Sequence, residues 1–190
     1  VRDLQNPSNS TFGIQLKKRD RLVPSHSIDN MLRMLRSAVF STCRRYRYVL
    51  RRTWDHSLPT VLFIALNPST ADETVDDPTI RRCIGFATDW GFGSLVVANL
   101  FALRSTDPKV LKKSCDPIGP RNDRWLRRLS GEAELTIAAW GVHGALRDRA
   151  AKVLPMLKHP YHLGQTRDGH PRHPLYLPSR TSFVAWASRP

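Results

Sequence analysis

Asn67 closes the apolar run LFIAL and is followed by Pro68, Ser69 and Thr70. An amide in that place can orient a water molecule but is too weak to act as a strong base. Asn99 ends a second apolar run, SLVVAN, where its side chain can offer a donor and an acceptor to one edge of a ligand. Trp140-Gly141 and His143 follow a third run, ELTIAAW. Further on, TRDGHPRHPLYLP holds His170 and His173, each directly before a proline. A histidine there can donate to an acceptor oxygen, and the prolines stiffen its loop. Asp72, Glu73, Asp76 and Asp77 gather acids in an otherwise basic chain. They can hold a divalent ion or place a carboxylate at a reacting centre. They also suit a helix N-terminus, where the macrodipole favours acids. That plainer role is preferred for Asp72 and Glu73, and no metal site is assigned. Asp77 is kept as a candidate catalytic carboxylate that compensates for the weak amide of Asn67.

These residues are informative because of where they fall. TVLFIAL (60–66), SLVVANLFAL (94–103) and ELTIAAW (134–140) are short, rich in Val, Ile and Leu, and bounded by turn residues, as parallel strands covered on both faces are. Asp77-Pro78 opens a helix that ends near Gly91, and DPIGPRNDRWLRRLSG gives another that ends near Gly131. GVHGALRDRAAKVLPML reads as one helix with Leu146, Ala150, Val153 and Leu157 on one side. YHLGQT supplies a fourth core strand. The alternation predicts a single three-layer α/β/α domain over 26–190, with a central, mainly parallel, four-stranded sheet. Ligands of such sheets bind beyond the carboxyl ends of the strands, which is where the polar residues above lie.

The N-terminal quarter reads differently. Residues 1–25 are polar and basic and suit a flexible arm. SIDNMLRMLRSAVF predicts a helix capped by Ser27, with Ile28, Met31, Leu32, Leu35 and Val39 as its apolar stripe. YRYVLRRTW (46–54) alternates, which predicts an edge strand with Tyr46, Tyr48 and Leu50 inward and Arg47 and Arg51 in solvent.

The chain of 190 residues carries a net charge of +14, with a pI near 10.7. The charge is concentrated at the two ends, at +8 over residues 1–55 and +7 over 121–190, against −1 between them. A domain this basic attracts a polyanion, and the excess of Arg over Lys suits bidentate phosphate contacts. Arg44, Arg45 and Arg47 in the strand region, Arg81 and Arg82 in the first helix, and Arg172 with Tyr176 in the last loop are the candidate DNA contacts. The three cysteines are far apart in sequence and form no CxxC pair, so neither zinc nor a disulfide framework is signalled. No apolar run reaches about 18 residues and no apolar leader opens the chain, so a cytoplasmic protein without a membrane partner is expected.

The order of strand tips resembles the uracil-DNA glycosylase superfamily: LNPST (66–70), VVANL (96–100), AAWGVHG (138–144) and HPRHPLYLP (170–178). The NPST, DDPT and WGxHG signatures also resemble, along more of the chain, a bacterial and phage family of unassigned function. The first resemblance implies a glycosylase with Asn67 holding the water, Asn99 reading the flipped base and His173 or His170 donating to the leaving base. It places Pro68, Ser69 and Trp140 around that base. His173 is preferred, because Leu175 follows at nearly the family's position. Ser69 stands where uracil-specific members carry an aromatic, which implies room for a 5-substituent. The expected protein is thus a monomeric, cofactor-free DNA N-glycosylase that excises a damaged or 5-modified pyrimidine and leaves an abasic site, in repair or in attack on modified phage DNA. The alternatives are a hydrolase or transferase of free nucleotides, with a metal at Asp72, Asp76 and Asp77, and a DNA-binding module without catalysis.

Overall fold

The computed structural model describes residues 34–107 and 109–186. Strands β1 (Leu35–Phe40), β2 (Arg47–Thr53), β3 (Thr60–Ala65), β4 (Ser94–Asn99), β5 (Leu135–Ala138), β6 (Pro160–His162) and β7 (Val184–Ala185) form one sheet in the order β1-β2-β4-β3-β5-β6-β7. The β4-β3, β3-β5 and β5-β6 pairs are parallel, and the β1-β2, β2-β4 and β6-β7 pairs are antiparallel. The expectation of a four-stranded, mainly parallel sheet is therefore wrong: the sheet has seven strands and is mixed. It grows at both edges through segments whose sequence carries little strand signal.

At one edge, Leu35–Phe40 is a strand and not the end of a helix. Leu35 and Val39 sit four apart, which mimics a helical stripe, but the segment pairs with β2 from Leu35↔Thr53 to Phe40↔Arg47. The helix's predicted start, from Ser27 to Leu32, and the arm at 1–25 lie outside the described residues. With β1 alongside it, β2 is an inner strand. Of the expected solvated face, Arg47 is buried and Arg51 half-buried; Arg52, on the other face, is wholly buried. At the other edge, Val184 and Ala185 pair with His162 and Tyr161.

The apolar runs fold as their composition dictates. Val61 to Ile64 of β3 are wholly inaccessible because both faces are covered. On one face, helix α1 (Pro78–Asp89) buries Ile80, Cys83, Phe86 and Ala87. Asp77 caps it by accepting from Ile80 N at 2.9 Å, and Pro78 occupies a first-turn position where no amide donor is needed. Helix α2 (Lys109–Lys113) is a short turn that buries Leu111 in the opposite core. In that core, helix α3 (Asn122–Glu132) contributes Leu126 and Leu129, and helix α4 (Arg149–Val153) contributes Val153.

The single helix expected over 141–157 is broken. A 3-10 segment (Val142–Asp148) kinks at Leu146, α4 follows, and a 3-10 turn (Leu154–Met156) ends the run at Pro155. Arg147 and Asp148 take left-handed φ values of 56° and 54°. Side-chain hydrogen bonds from Arg147 to Ser114 O and from Arg149 to Leu100 O tie the kinked segment to neighbouring loops. Among the described residues no helix is long and apolar enough to cross a membrane.

Candidate functional site

The carboxyl ends of β4, β3, β5 and β6 lie at one end of the sheet, since these four strands run in parallel. Register brings Ala65 beside Asn99 and Ile64 beside Ala138. The segments leaving these strands border a cleft of about 600 Å³. Asn67, Ser69, Asp77, Asn99, Trp140, Arg172, His173 and Tyr176, all singled out in the sequence, line it. Pro68, His170, Arg44, Arg45, Arg81 and Arg82 do not. Arg47, expected as a DNA contact on a solvated face, also lines it, as do Thr79, Ser105 and Thr166, which the sequence did not single out. They lie in elements that reach the cleft only through the fold.

Asn99 is the most exacting residue of the site. It is 1 % exposed, and neither its amide nitrogen nor its amide oxygen has a hydrogen-bond partner. Leaving such a group unsatisfied costs about 1–3 kcal/mol. Its backbone, by contrast, is firmly held. Asn122 Nδ2 donates to Asn99 O and Leu100 O, both at 2.9 Å, and Arg149 Nε donates to Leu100 O at 2.9 Å. The strand tip is pinned from the far face of the sheet while its side chain is left free toward the cleft.

Asn67 is oriented by its own amide. Nδ2 donates to Ser105 O at 2.7 Å and Pro68 O at 3.1 Å. Two carbonyl acceptors fix which end of the amide is nitrogen, so Oδ1 is the end available to a ligand or water.

His173 begins the 3-10 turn Pro174–Tyr176 and accepts from Leu175 N through Nδ1 at 3.3 Å. An accepting Nδ1 leaves the ring proton on Nε2. Burial pushes the imidazole pKa below its ordinary value, and the charge of Asp77 opposes that shift. The ring is therefore a neutral Nε2–H donor near pH 7. His170 lies outside the cleft, its backbone tied to Thr166 in a local turn. The geometry thus separates two histidines that sequence left as alternatives.

Asp77 is the one carboxylate among the residues lining the cleft, and its cap to Ile80 occupies Oδ1. The other three acids serve structure. Asp72 Oδ1 accepts from Thr74 N, Thr74 Oγ1 and Val75 N, which hold its pKa down to about 2. Asp76 lies between Arg52 at 2.7 Å and Arg36 at 2.5 Å, and Glu73 pairs with Arg44 at 2.9 Å. No metal-binding grouping of acids, histidines and cysteines is present among the described residues.

The arginines divide in the same way. Arg81 donates to Asp76 O, and Arg82 donates to Leu177 O beside the Phe86 ring. Arg45 is exposed, stacked over Tyr46. Arg172 and Tyr176 are exposed at the rim, with the Tyr176 ring 5.7 Å from that of His173. Trp140 is a buried wall, and Gly144 is packed so closely on it that a Cβ there would meet Trp140 Cδ1 at 2.1 Å.

Comparison with known proteins gives one result. The sequence model of a family described as a protein of unknown function (DUF1643) matches residues 47–175, which includes nearly the whole cleft. No curated protein and no solved structure matches the chain.

Proposed function

We propose that this chain, which belongs to the DUF1643 family, is a monofunctional DNA glycosylase that draws an extruded pyrimidine, damaged or 5-modified, into the cleft. The observation that carries this reading is Asn99: a buried amide with donor and acceptor both unpaired, held on a fixed strand tip. A base edge that accepts and donates side by side satisfies both atoms at once. The rest of the cleft supplies the reaction. A water accepted by Asn67 Oδ1 attacks C1′ as the C1′–N bond breaks. The bonding pair departs with the base, whose oxygen takes a hydrogen bond from His173 Nε2–H, and the water's proton passes to Asp77. Ser69 leaves space at the base where a bulkier residue would close it. DNA as partner, the monomeric state and a cytoplasmic setting belong to the same proposal. The free-nucleotide alternative with a metal at Asp72, Asp76 and Asp77 is disfavoured, because Asp72 and Asp76 are already committed to turn and arginine partners.

The test is an abasic-site assay on duplexes carrying uracil, mismatched thymine, or 5-hydroxymethyl and glucosylated pyrimidines. Wild type should yield alkali-labile strand breaks on one substrate. Asn67→Ala and His173→Ala should each lower the rate by about 100-fold or more. Asn99→Leu should abolish excision while unfolding no earlier than wild type, since it removes an unsatisfied buried amide worth about 1–3 kcal/mol. Salt-sensitive binding without a break on any duplex would reject the reaction and leave a binding module. Turnover of free nucleotides alone would make the protein a nucleotide hydrolase.

A further inference from the structure

Arg47 is out of place for a surface arginine. It is 2 % exposed and lines the cleft beside Asn99 and Asp77. Its Nη1 donates to Ala71 O at 2.5 Å, while its buried Nε has no partner. The ion pairs among the described residues use Arg36, Arg44, Arg52, Arg128 and Arg149, and none involves Arg47. Asp77 and, less strongly, Asp72 act on it electrostatically without pairing. Arg104 is half-buried and lies outside the cleft lining, with its Nη1 donating to Arg44 O at 3.5 Å and its guanidinium over the Phe40 ring. Its Nε is also buried and unpartnered, it forms no ion pair among the described residues, and its charge weighs on Arg47. Burial and the neighbouring Arg104 and Arg52 lower the Arg47 pKa to about 10, so it remains a cation at neutral pH. A desolvated cation with no carboxylate in ion-pairing reach costs several kcal/mol unless a ligand supplies one. Ser105 and Thr106, which follow Arg104 directly, bring further polar groups to the same cleft.

We infer that Arg47 forms a phosphate subsite inside the cleft, separate from the group that reads the base, with the nearby charge of Arg104 adding to its pull on an anion. The inference rests on the cleft being a nucleotide site and adds what it recognises besides the base. The guanidinium fork matches phosphate oxygens, and charge-assisted hydrogen bonds to phosphate are the strong class. The phosphate belongs either to the DNA backbone at the extruded residue or to a free nucleotide.

Thermal unfolding of the full chain, titrated at fixed ionic strength with inorganic phosphate, thymidine and thymidine 5′-monophosphate, tests the subsite. The monophosphate should bind about 10- to 100-fold tighter than the nucleoside, and Arg47→Gln should remove that preference. Arg104→Gln, at a partly exposed position, should reduce it and serves if Arg47→Gln does not fold. Equal affinity for nucleoside and nucleotide, or a preference that survives both variants, would overturn the inference. An oligonucleotide with one methylphosphonate at the linkage 5′ to the target distinguishes the sources. Weaker wild-type binding, with Arg47→Gln indifferent, assigns the backbone. An unchanged oligonucleotide affinity beside a strong monophosphate preference assigns a free nucleotide. Binding is read apart from abasic-site formation, so a phosphate preference without excision would reject the glycosylase reading and keep the subsite.

Discussion

A single hydrogen bond decides the chemistry available to His173. With Nδ1 occupied by Leu175 N, the proton sits on Nε2 in the neutral ring. Burial lowers the folded-state pKa below the unfolded value near 6.5. Below about pH 6.5 the unfolded chain therefore binds the proton more readily than the folded one. The contribution of this histidine to stability is full above that pH and is lost as pH falls from 6.5 toward the lowered value. NMR titration of the His173 ring should give a midpoint below 6.5, and a midpoint at or above 6.5 would show that burial does not disfavour its charged form. Sequence reading found His173 and Asn99 because strand tips are where α/β sheets present polar groups. The preference for His173 over His170 rests on the family resemblance alone, since both precede proline and only the path of the loop sends one inward. Arg47 misled sequence reading for a different reason. A buried arginine held by a carbonyl 24 residues away has the same local pattern as a solvated one.

At the scale of elements, the loop between β3 and α1 depends on arginines from another part of the sheet. Arg52 is wholly buried and donates from Nε to Asp76 and from Nη2 to Asp72 O at 2.6 Å and Val75 O at 3.2 Å. Asp76→Ala would strand this guanidinium without a counter-charge, at a cost of about 3–5 kcal/mol. Chemical denaturation should show that loss, whereas a change under 1 kcal/mol would mean that Arg52 finds another partner. Arg36, the more exposed partner of Asp76, should matter far less. β3, β4 and β5 were legible in the sequence because burial on both faces writes itself as an unbroken apolar run. β1 was not, since Leu35 and Val39 satisfy a helical period and a strand equally, and pairing with β2 decides between them. The broken helix after Trp140 was missed because its kink is held by arginine contacts to distant carbonyls.

Over the whole molecule, charge is segregated: the two flanking portions of the sequence are strongly basic and the middle, which supplies Asn67, Asp77 and Asn99, is near neutral. A protein of this kind should bind DNA with affinity that falls linearly in log–log plots against salt. Neutralising four or five phosphates would give a slope of about −4. A slope near zero in a fluorescence-anisotropy titration would rule out backbone contacts as the source of binding. The mixed sheet also fixes an order of birth. Asn67 and Asn99 leave the ribosome well before His173, and β6 and β7 are added last. Until they arrive, β5 is an unpaired edge of four buried residues flanking the core strand β3. A nascent or prematurely terminated chain thus carries Asn67 and Asn99 without His173, and displays an apolar strand edge prone to cross-pairing. Truncated products should be insoluble.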